Sequence, residues 1–302
     1  MKKLRVLIVG YGSIGKRHRE VLSRFNEVSE IHLVTSQNLV DTITYKNIES
    51  VPLNDYDYII IASETAKHFE QLSFLIRKVD KKLILCEKPL FHEYIEFYPD
   101  KNSVFVGYVL RYHPVIKRIR EILSETSVLA VSVYCGSYLP EWRPDRDYRQ
   151  TYSAKKSMGG GVVLDLSHEI DYIQFLFGKI SEIKSYSAKI SDLDIDSEDY
   201  SSTIGKTEKG VYFSMTLDYI SKIPIRKIIV HTNSETFIGD LFENYLLYKK
   251  TNGLLVKESF EGLTRNYVYE QMHRDILNER LFCCNYLEAL DVLRIVDKIK
   301  GV

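Results

Sequence analysis

The sequence predicts an α/β fold in two parts, a doubly wound parallel sheet followed by a domain with a mostly antiparallel open sheet. Three observations predict it. Short, continuously apolar runs alternate with helical patterns through the first third of the chain, a glycine-rich turn follows the first of these runs, and after about residue 125 the runs become rich in Val, Ile, Tyr, Phe and Ser. The chain has 302 residues, beyond the roughly 250–300 at which one hydrophobic core stops growing, so two domains are expected.

The early runs are 4–9, 31–34, 58–62, 83–86 and 104–106. They do not alternate with polar residues, which is how strands buried on both faces read, and implies a parallel sheet. Between the first two, Ile14, Val21, Leu22 and Phe25 share one helical face while Lys16, Arg17, Arg19 and Glu20 lie largely off it. Pro114 suits a first helical turn, and Val115, Ile116, Ile119, Ile122 and Leu123 form the stripe of a helix that closes this part. Later strands are expected at 128–135, 183–190, 210–219, 225–232, 236–241 and 245–249, with long helices only at 159–178 and from about 270 onward. The expected division is a dinucleotide-binding domain over 1–120 and a substrate and oligomerisation domain over 121–302, with the helix from about 275 returning to the first.

Forty-one basic residues balance 41 acidic ones, so no net field draws a polyanion and nucleic acid is not expected as a partner. The cysteines, Cys86, Cys135, Cys283 and Cys284, lack metal-ligand spacing, so no metal is expected. Cys283 and Cys284 fall in a helical pattern and read as small buried hydrophobes, consistent with a reducing compartment. Arg5 and the turn after Val9 cut the first apolar run too short for a signal peptide, and no run nears the ~18 apolar residues of a membrane span, so a cytoplasmic protein is expected.

In "VLIVGYGSIGKRH" the glycines Gly10, Gly12 and Gly15 form G-x-G-x-x-G between a strand and a helix. Gly10 serves the tight turn, Gly12 the close approach of a pyrophosphate, and Gly15 the packing of helix on strand. The amides of the helix start, at Ser13, Ile14 and Gly15, offer an anion its donors. This is the Rossmann dinucleotide fingerprint. The second strand ends in Thr35, Ser36 and Gln37 rather than in an acid. Hydroxyls without a carboxylate permit a 2′-phosphate, so the cofactor reads as NAD or NADP, leaning to NADP.

Four stretches, "GYGSIG", "CEKP" (86–89), "GYVLRYHP" (107–114) and "GGGVVLDLSHEID" (159–171), in this order and spacing resemble the Gfo/Idh/MocA oxidoreductases. The resemblance covers most of the chain and weakens after about residue 180. It implies that Lys88 of E-K-P lies beside the nicotinamide and serves in proton transfer, with Glu87 next to it at the cofactor. Oxidising an alcohol by hydride transfer releases a proton, and a partly desolvated lysine has the pKa range to take it. His168 inherits a role in the proton relay or in binding the substrate hydroxyl, with Asp165 orienting it. The glycine run is expected to let the backbone approach the cofactor, and residues three apart on the helix that follows share a face. Family members commonly carry the acid four residues before the histidine, whereas Asp165 stands three before His168, which sets its role apart. "ASETAKHFE" occupies the position of the family's cofactor loop and nominates Ala62, Ser63, Thr65 and His68. Arg111 and Tyr112 read either as substrate contacts or as packing between domains.

The stretch "YLPEWRPDRDYRQTYSAKKSM" holds the only tryptophan, Trp142, with Arg143 and Tyr152. Aromatic faces and guanidinium groups suit an anionic sugar, but Glu141, Asp145 and Asp147 could equally neutralise a solvated arm, or the arm could clasp a second subunit. The stretch looks like a family branch found with surface-polysaccharide and flagellar-glycan sugar biosynthesis. The expected activity is therefore hydride transfer between a nicotinamide cofactor and a sugar hydroxyl or ketone, the sugar being nucleotide-activated or a CMP-nonulosonate. The alternatives are an NAD-dependent redox-neutral glycosidase and a non-catalytic cofactor-binding regulator. A homodimer or homotetramer is expected, because an open sheet face seeks cover.

Overall fold

In the computed structural model, which describes residues 3–123 and 126–301, the chain divides into two units. The first comprises Met1–Val109 and Thr264–Leu290, the second Leu110–Leu263 and Asp291–Val302.

The first unit is built on a seven-stranded sheet. Its strands are β1 (Leu4–Val9), β2 (Val28–Val34), β3 (Thr44–Tyr45), β4 (Tyr58–Ile61), β5 (Leu83–Cys86), β6 (Ser103–Val106) and β15 (Cys284–Asn285), in the order β15-β6-β5-β4-β1-β2-β3. All neighbours run parallel except β15, which pairs antiparallel to β6. The helices of this unit are α1 (Ser13–Leu22), α2 (His68–Lys78) and α6 (Tyr267–Leu277). Leu7, Ile8, Ile59, Ile60, Ile84 and Leu85 are fully buried, which is what continuous apolar strands between two helical layers require. β15 corrects the sequence reading of Cys283 and Cys284: the pair lies between helices, where Asp275 accepts the amide of Cys283 at 2.8 Å, and Cys284 is a strand residue.

The second unit carries α3 (Pro114–Leu123), β7 (Val128–Gly136), α4 (Val162–Asp165), α5 (His168–Phe177), β8 (Ile180–Ala188), β9 (Tyr200–Thr207), β10 (Tyr212–Asp218), β11 (Ile225–Thr232), β12 (Glu235–Asp240), β13 (Tyr245–Lys250) and β14 (Leu255–Ser259). The terminal helix α7 spans Tyr286–Lys300. The sheet order is β14-β13-β12-β11-β7-β10-β9-β8, eight strands with antiparallel neighbours except the parallel pair β7–β10. The strands β9 and β14 were not expected from sequence; Ser, Thr and Gly in one and Lys and Glu in the other hide their alternation.

One face of this sheet packs on α3, α4 and α5, burying Val131, Val133, Met215, Leu217, Ile228 and Val230. Along the opposite face Ile238, Ile229, Ser132, Ser214 and Ile204 stand in one cross-strand row, and Ile204 is 56% exposed. Among the described residues no helix is long and apolar enough to cross a membrane.

Candidate active site

β1 delivers Gly10, Gly12 and Gly15 to the start of α1, and each glycine answers to a different neighbour. Gly10 has φ +96°, and a Cβ there would lie 2.7 Å from the backbone of Ser63. A Cβ on Gly15 would lie 2.1 Å from the carbonyl oxygen of Gly10. Gly12 has an ordinary φ of −75°, and a Cβ there would meet no protein atom within 4 Å. The first two glycines are required by the fold itself. Among the described residues nothing requires Gly12, so the open space over it, at the N-cap of a helix whose first amides have no partner within the helix, fits a pyrophosphate.

At the end of β2, Thr35 is buried and its hydroxyl accepts the amide of Gln37 at 3.1 Å. Ser36 is exposed. The ammonium of Lys46 reaches the Ser36 carbonyl at 3.1 Å and the Asn38 amide oxygen at 2.8 Å, while Gln37 Nε2 donates to the Tyr11 carbonyl at 3.0 Å. The edge that would meet an adenosine ribose therefore carries hydroxyls, amides and a cation.

At the end of β4, Ala62 is buried, Ser63 donates its hydroxyl to Gln71 Oε1 at 2.7 Å, and Thr65 is half-buried at the head of a short 3₁₀ turn. His68, the last of the residues nominated in this loop, turns its ring inward. It is 1% exposed, with Nδ1 3.0 Å from the Pro89 carbonyl and Nε2 3.2 Å from the Ser63 carbonyl. The ring is a strut between the Ser63 loop and the turn after β5. Burial holds its pKa below the ordinary imidazole range despite those two carbonyls.

That turn carries Glu87 and Lys88. Lys88 is half-buried, and Glu87 Oε2 lies 3.3 Å from its amide. The other carboxylate oxygen of Glu87 meets Nε2 of the buried His18 at 2.9 Å. Glu87 is thus a support beneath the turn, held by a histidine of the glycine-loop helix that sequence reasoning had passed over.

In the second unit the run Gly159–Gly160–Gly161 is buried, and at Gly160 and Gly161 atoms of this chain stand where a side chain would be. A Cβ on Gly160 would lie 2.2 Å from the Tyr152 carbonyl, and one on Gly161, at φ +122°, would lie 2.2 Å from Glu198 Oε1. At both positions the missing side chain makes room for this chain's own atoms, the Tyr152–Ala154 turn and Glu198. The single helix expected over 159–178 is also two. Leu166, at φ −96° and ψ 27°, ends α4 after Asp165, and α5 begins at His168. Asp165 and His168 therefore do not share the face of one helix.

Asp165 is 4% exposed and accepts the hydroxyl of Tyr219 at 2.5 Å. Burial first, then the charge and hydrogen bond of Asp165, push the phenols of Tyr219 and Tyr152 well above their usual range. Both phenols thus remain donors, and Asp165 is an anchored acceptor. His168 is buried at the first position of α5.

Arg111 and Asp171 are 2% and 1% exposed and form a bidentate pair, Nη2 to Oδ1 at 2.7 Å and Nε to Oδ2 at 3.0 Å. The Arg111 guanidinium also lies 4.6 Å from the Phe175 ring centre. This pair lies inside the second unit, and Tyr112 beside Arg111 is 3% exposed. Glu169, fully buried, is paired to Arg226 in the same way at 2.8 Å.

Trp142 donates its indole N–H to Ser137 Oγ at 2.7 Å and sets its edge on Tyr219 at 5.2 Å. Arg143 is exposed. Leu139, Trp142, Arg143, Tyr148, Thr151 and Ser153 line a small cleft. Through Tyr219 this aromatic wall is tied to Asp165.

Two family models match the chain. Residues 4–97 match the oxidoreductase family with an NAD-binding Rossmann fold, and residues 116–236 match the GFO/IDH/MocA C-terminal domain. The chain belongs to the Gfo/Idh/MocA oxidoreductase family. By sequence, no curated protein matches it. Among solved structures, levoglucosan dehydrogenase in its apo form is 15% identical, covers 100% of this chain and 96% of its own, and has a TM-score of 0.84. UDP-N-acetylglucosamine 3-dehydrogenase GnnA from Acidithiobacillus ferrooxidans is 14% identical over 100% and 98% of the two chains, TM-score 0.78. The WlbA dehydrogenase from Bordetella pertussis, in complex with NADH and UDP-GlcNAcA, is 15% identical over 99% and 96%, TM-score 0.76. At these identities the likeness establishes the fold: the parallel sheet of the family's first domain and the mostly antiparallel sheet of its second.

Proposed function

We propose that this protein is an NAD(P)-dependent oxidoreductase that transfers a hydride between the nicotinamide and a hydroxyl or ketone of a sugar, a nucleotide-activated sugar or CMP-nonulosonate being the substrate class. The observation that carries the reading is the open space over Gly12 in the same unit as the supported Lys88 turn. The similar folds of levoglucosan dehydrogenase and UDP-N-acetylglucosamine 3-dehydrogenase support the choice of a sugar.

Gly10, Gly12, Ser13, Ile14 and Gly15 hold the pyrophosphate, Thr35 and Ser36 face the ribose, and Ala62, Ser63 and Thr65 flank the nicotinamide half. The bound dinucleotide supplies the hydride chemistry. Lys88 takes the hydroxyl proton in oxidation and returns it in reduction, and His168, at the first position of α5, is the second unit's group for binding a sugar hydroxyl and exchanging its proton. Asp165, the last residue of α4, is fixed by Tyr219 and supports the turn that leads into His168. Trp142, Arg143 and Tyr152 form the wall on which an anionic sugar stacks and pairs. Lys46 beside Ser36 favours a 2′-phosphate, so NADPH binds more tightly than NADH. The exposed row from Ile238 to Ile204 seats a second copy of the chain, giving a dimer or tetramer in the cytoplasm.

A panel of nucleotide sugars, CMP-nonulosonates and free sugars, followed at the nicotinamide absorbance with each cofactor, tests the reading. Lys88→Met should lower turnover by about a hundredfold or more with dinucleotide affinity nearly unchanged. Glycoside cleavage with bound cofactor returned unchanged would favour the hydrolase alternative instead. Binding without turnover on any sugar would favour a regulator.

A further inference from the structure

Below the Lys88 turn the first unit holds a chain of buried polar side chains drawn from four separate segments. The Tyr58 hydroxyl of β4 lies 3.0 Å from Nδ1 of His273 on α6. Nε2 of His273 lies 2.9 Å from Nδ1 of His18 on α1, and Nε2 of His18 lies 2.9 Å from Oε1 of Glu87. Tyr58, His18 and His273 are 0% exposed and Glu87 is 7% exposed. Gly107 leaves room for the carboxylate, since a Cβ there would lie 2.7 Å from Glu87 Oε1.

The ends of this chain set its proton order. A carboxylate only accepts, so His18 carries a proton on Nε2, and in the neutral ring Nδ1 is then the acceptor. His273 must then donate from Nε2, which leaves its Nδ1 to accept from the Tyr58 hydroxyl. Every contact is satisfied with both imidazoles neutral. Burial, and after it the neighbouring His18, hold His273 well below the ordinary imidazole range, in agreement with that order.

We propose that His18 and His273 are positioning residues for Lys88: they commit the Glu87 carboxylate to the interior of the unit and so keep it from pairing with the ammonium of the next residue. The proposal rests on the reading of Lys88 as the proton-transfer group. Freed from His18, the carboxylate would pair with that ammonium and stabilise its charged form, moving the lysine's titration to higher pH. The other titratable groups facing Glu87 are Tyr58 of β4, Cys86 of β5, His68 of α2 and Tyr269 of α6, with Arg17 over Tyr269 and Cys283 near Tyr58. None of these replaces His18 at Oε1.

The test uses the full chain and needs no substrate. Lys88 is acylated competitively with acetic anhydride across pH, and its reactivity midpoint is read by mass spectrometry in wild type, His273→Leu and His273→Gln. The midpoint is expected to rise by about one unit, a tenfold change in the equilibrium, in His273→Leu and to return toward wild type in His273→Gln, which keeps a donor for His18. Dinucleotide affinity should change less than about threefold, because the glycine loop is untouched. An unchanged midpoint in a folded His273→Leu protein overturns the proposal. Should that variant not fold, nitrogen-15 spectra of wild-type histidines decide: His18 and His273 must both be neutral with the proton on Nε2, and any other form overturns it. Retained turnover in Lys88→Met would overturn the catalytic reading alone, and lost turnover there with an unchanged midpoint in His273→Leu would overturn this inference alone.

Discussion

Replacing Gly12 with alanine separates a glycine required by a ligand from one required by the fold. Gly12 has φ −75° and a Cβ there meets nothing within 4 Å, so the folded protein accepts a methyl group without strain. The unfolded chain loses freedom, and a compatible Gly→Ala change stabilises by about 0.4–1 kcal/mol. In a unit of this size that raises Tm by roughly 1–4 °C. The same methyl fills the space that a pyrophosphate needs and separates it from the amides of α1. Losing one charge-assisted hydrogen bond costs about 1.5–3 kcal/mol, so the dinucleotide Kd should rise about 10- to 150-fold. Calorimetric titration with NADPH and NADH, paired with a thermal melt, reads both quantities. Gly15→Ala is the contrast: its Cβ would lie 2.1 Å from the Gly10 carbonyl oxygen, so stability and affinity should fall together. A Gly12→Ala protein that binds dinucleotide within about twofold of wild type would refute the cradle.

Asp171→Asn removes the carboxylate charge that pairs bidentately with the buried Arg111 guanidinium and should destabilise the second unit by about 3–5 kcal/mol, read by urea denaturation. His113 is buried, with Nε2 3.0 Å from Asn244 Oδ1 and Nδ1 accepting the amide of Val115 at 3.3 Å, and burial lowers its pKa to about 4. The unfolded state then binds the proton first, near the ordinary ~6.5, so stability is full above that pH and is lost as pH falls toward about 4. Lowering pH from 7 to 5 should cost wild type about 2 kcal/mol through this residue, and a His113→Asn variant should lack that part of the loss. NADPH should bind more tightly than NADH, and a Lys46→Ala variant should weaken only the former, by about tenfold, in fluorescence titrations; equal affinities would refute the 2′-phosphate reading.

The parallel sheet, the placement of the glycine loop and the turn that carries Lys88 were legible in the sequence. These depend on local properties: apolar runs without alternation, glycines at fixed offsets, and a strand ending directly before a charged residue. The break between Asp165 and His168, the true neighbours of Gly160 and Gly161, and the burial of Arg111 against Asp171 were not legible there, because each depends on atoms brought from distant parts of the chain. His18 and His273 make the point most clearly, since they stand 255 residues apart in the chain and 2.9 Å apart in the fold. Sequence periodicity records which face of a helix is apolar, but not which polar group awaits a buried imidazole on that face. Only the packing of α1 and α6 on the sheet decides that.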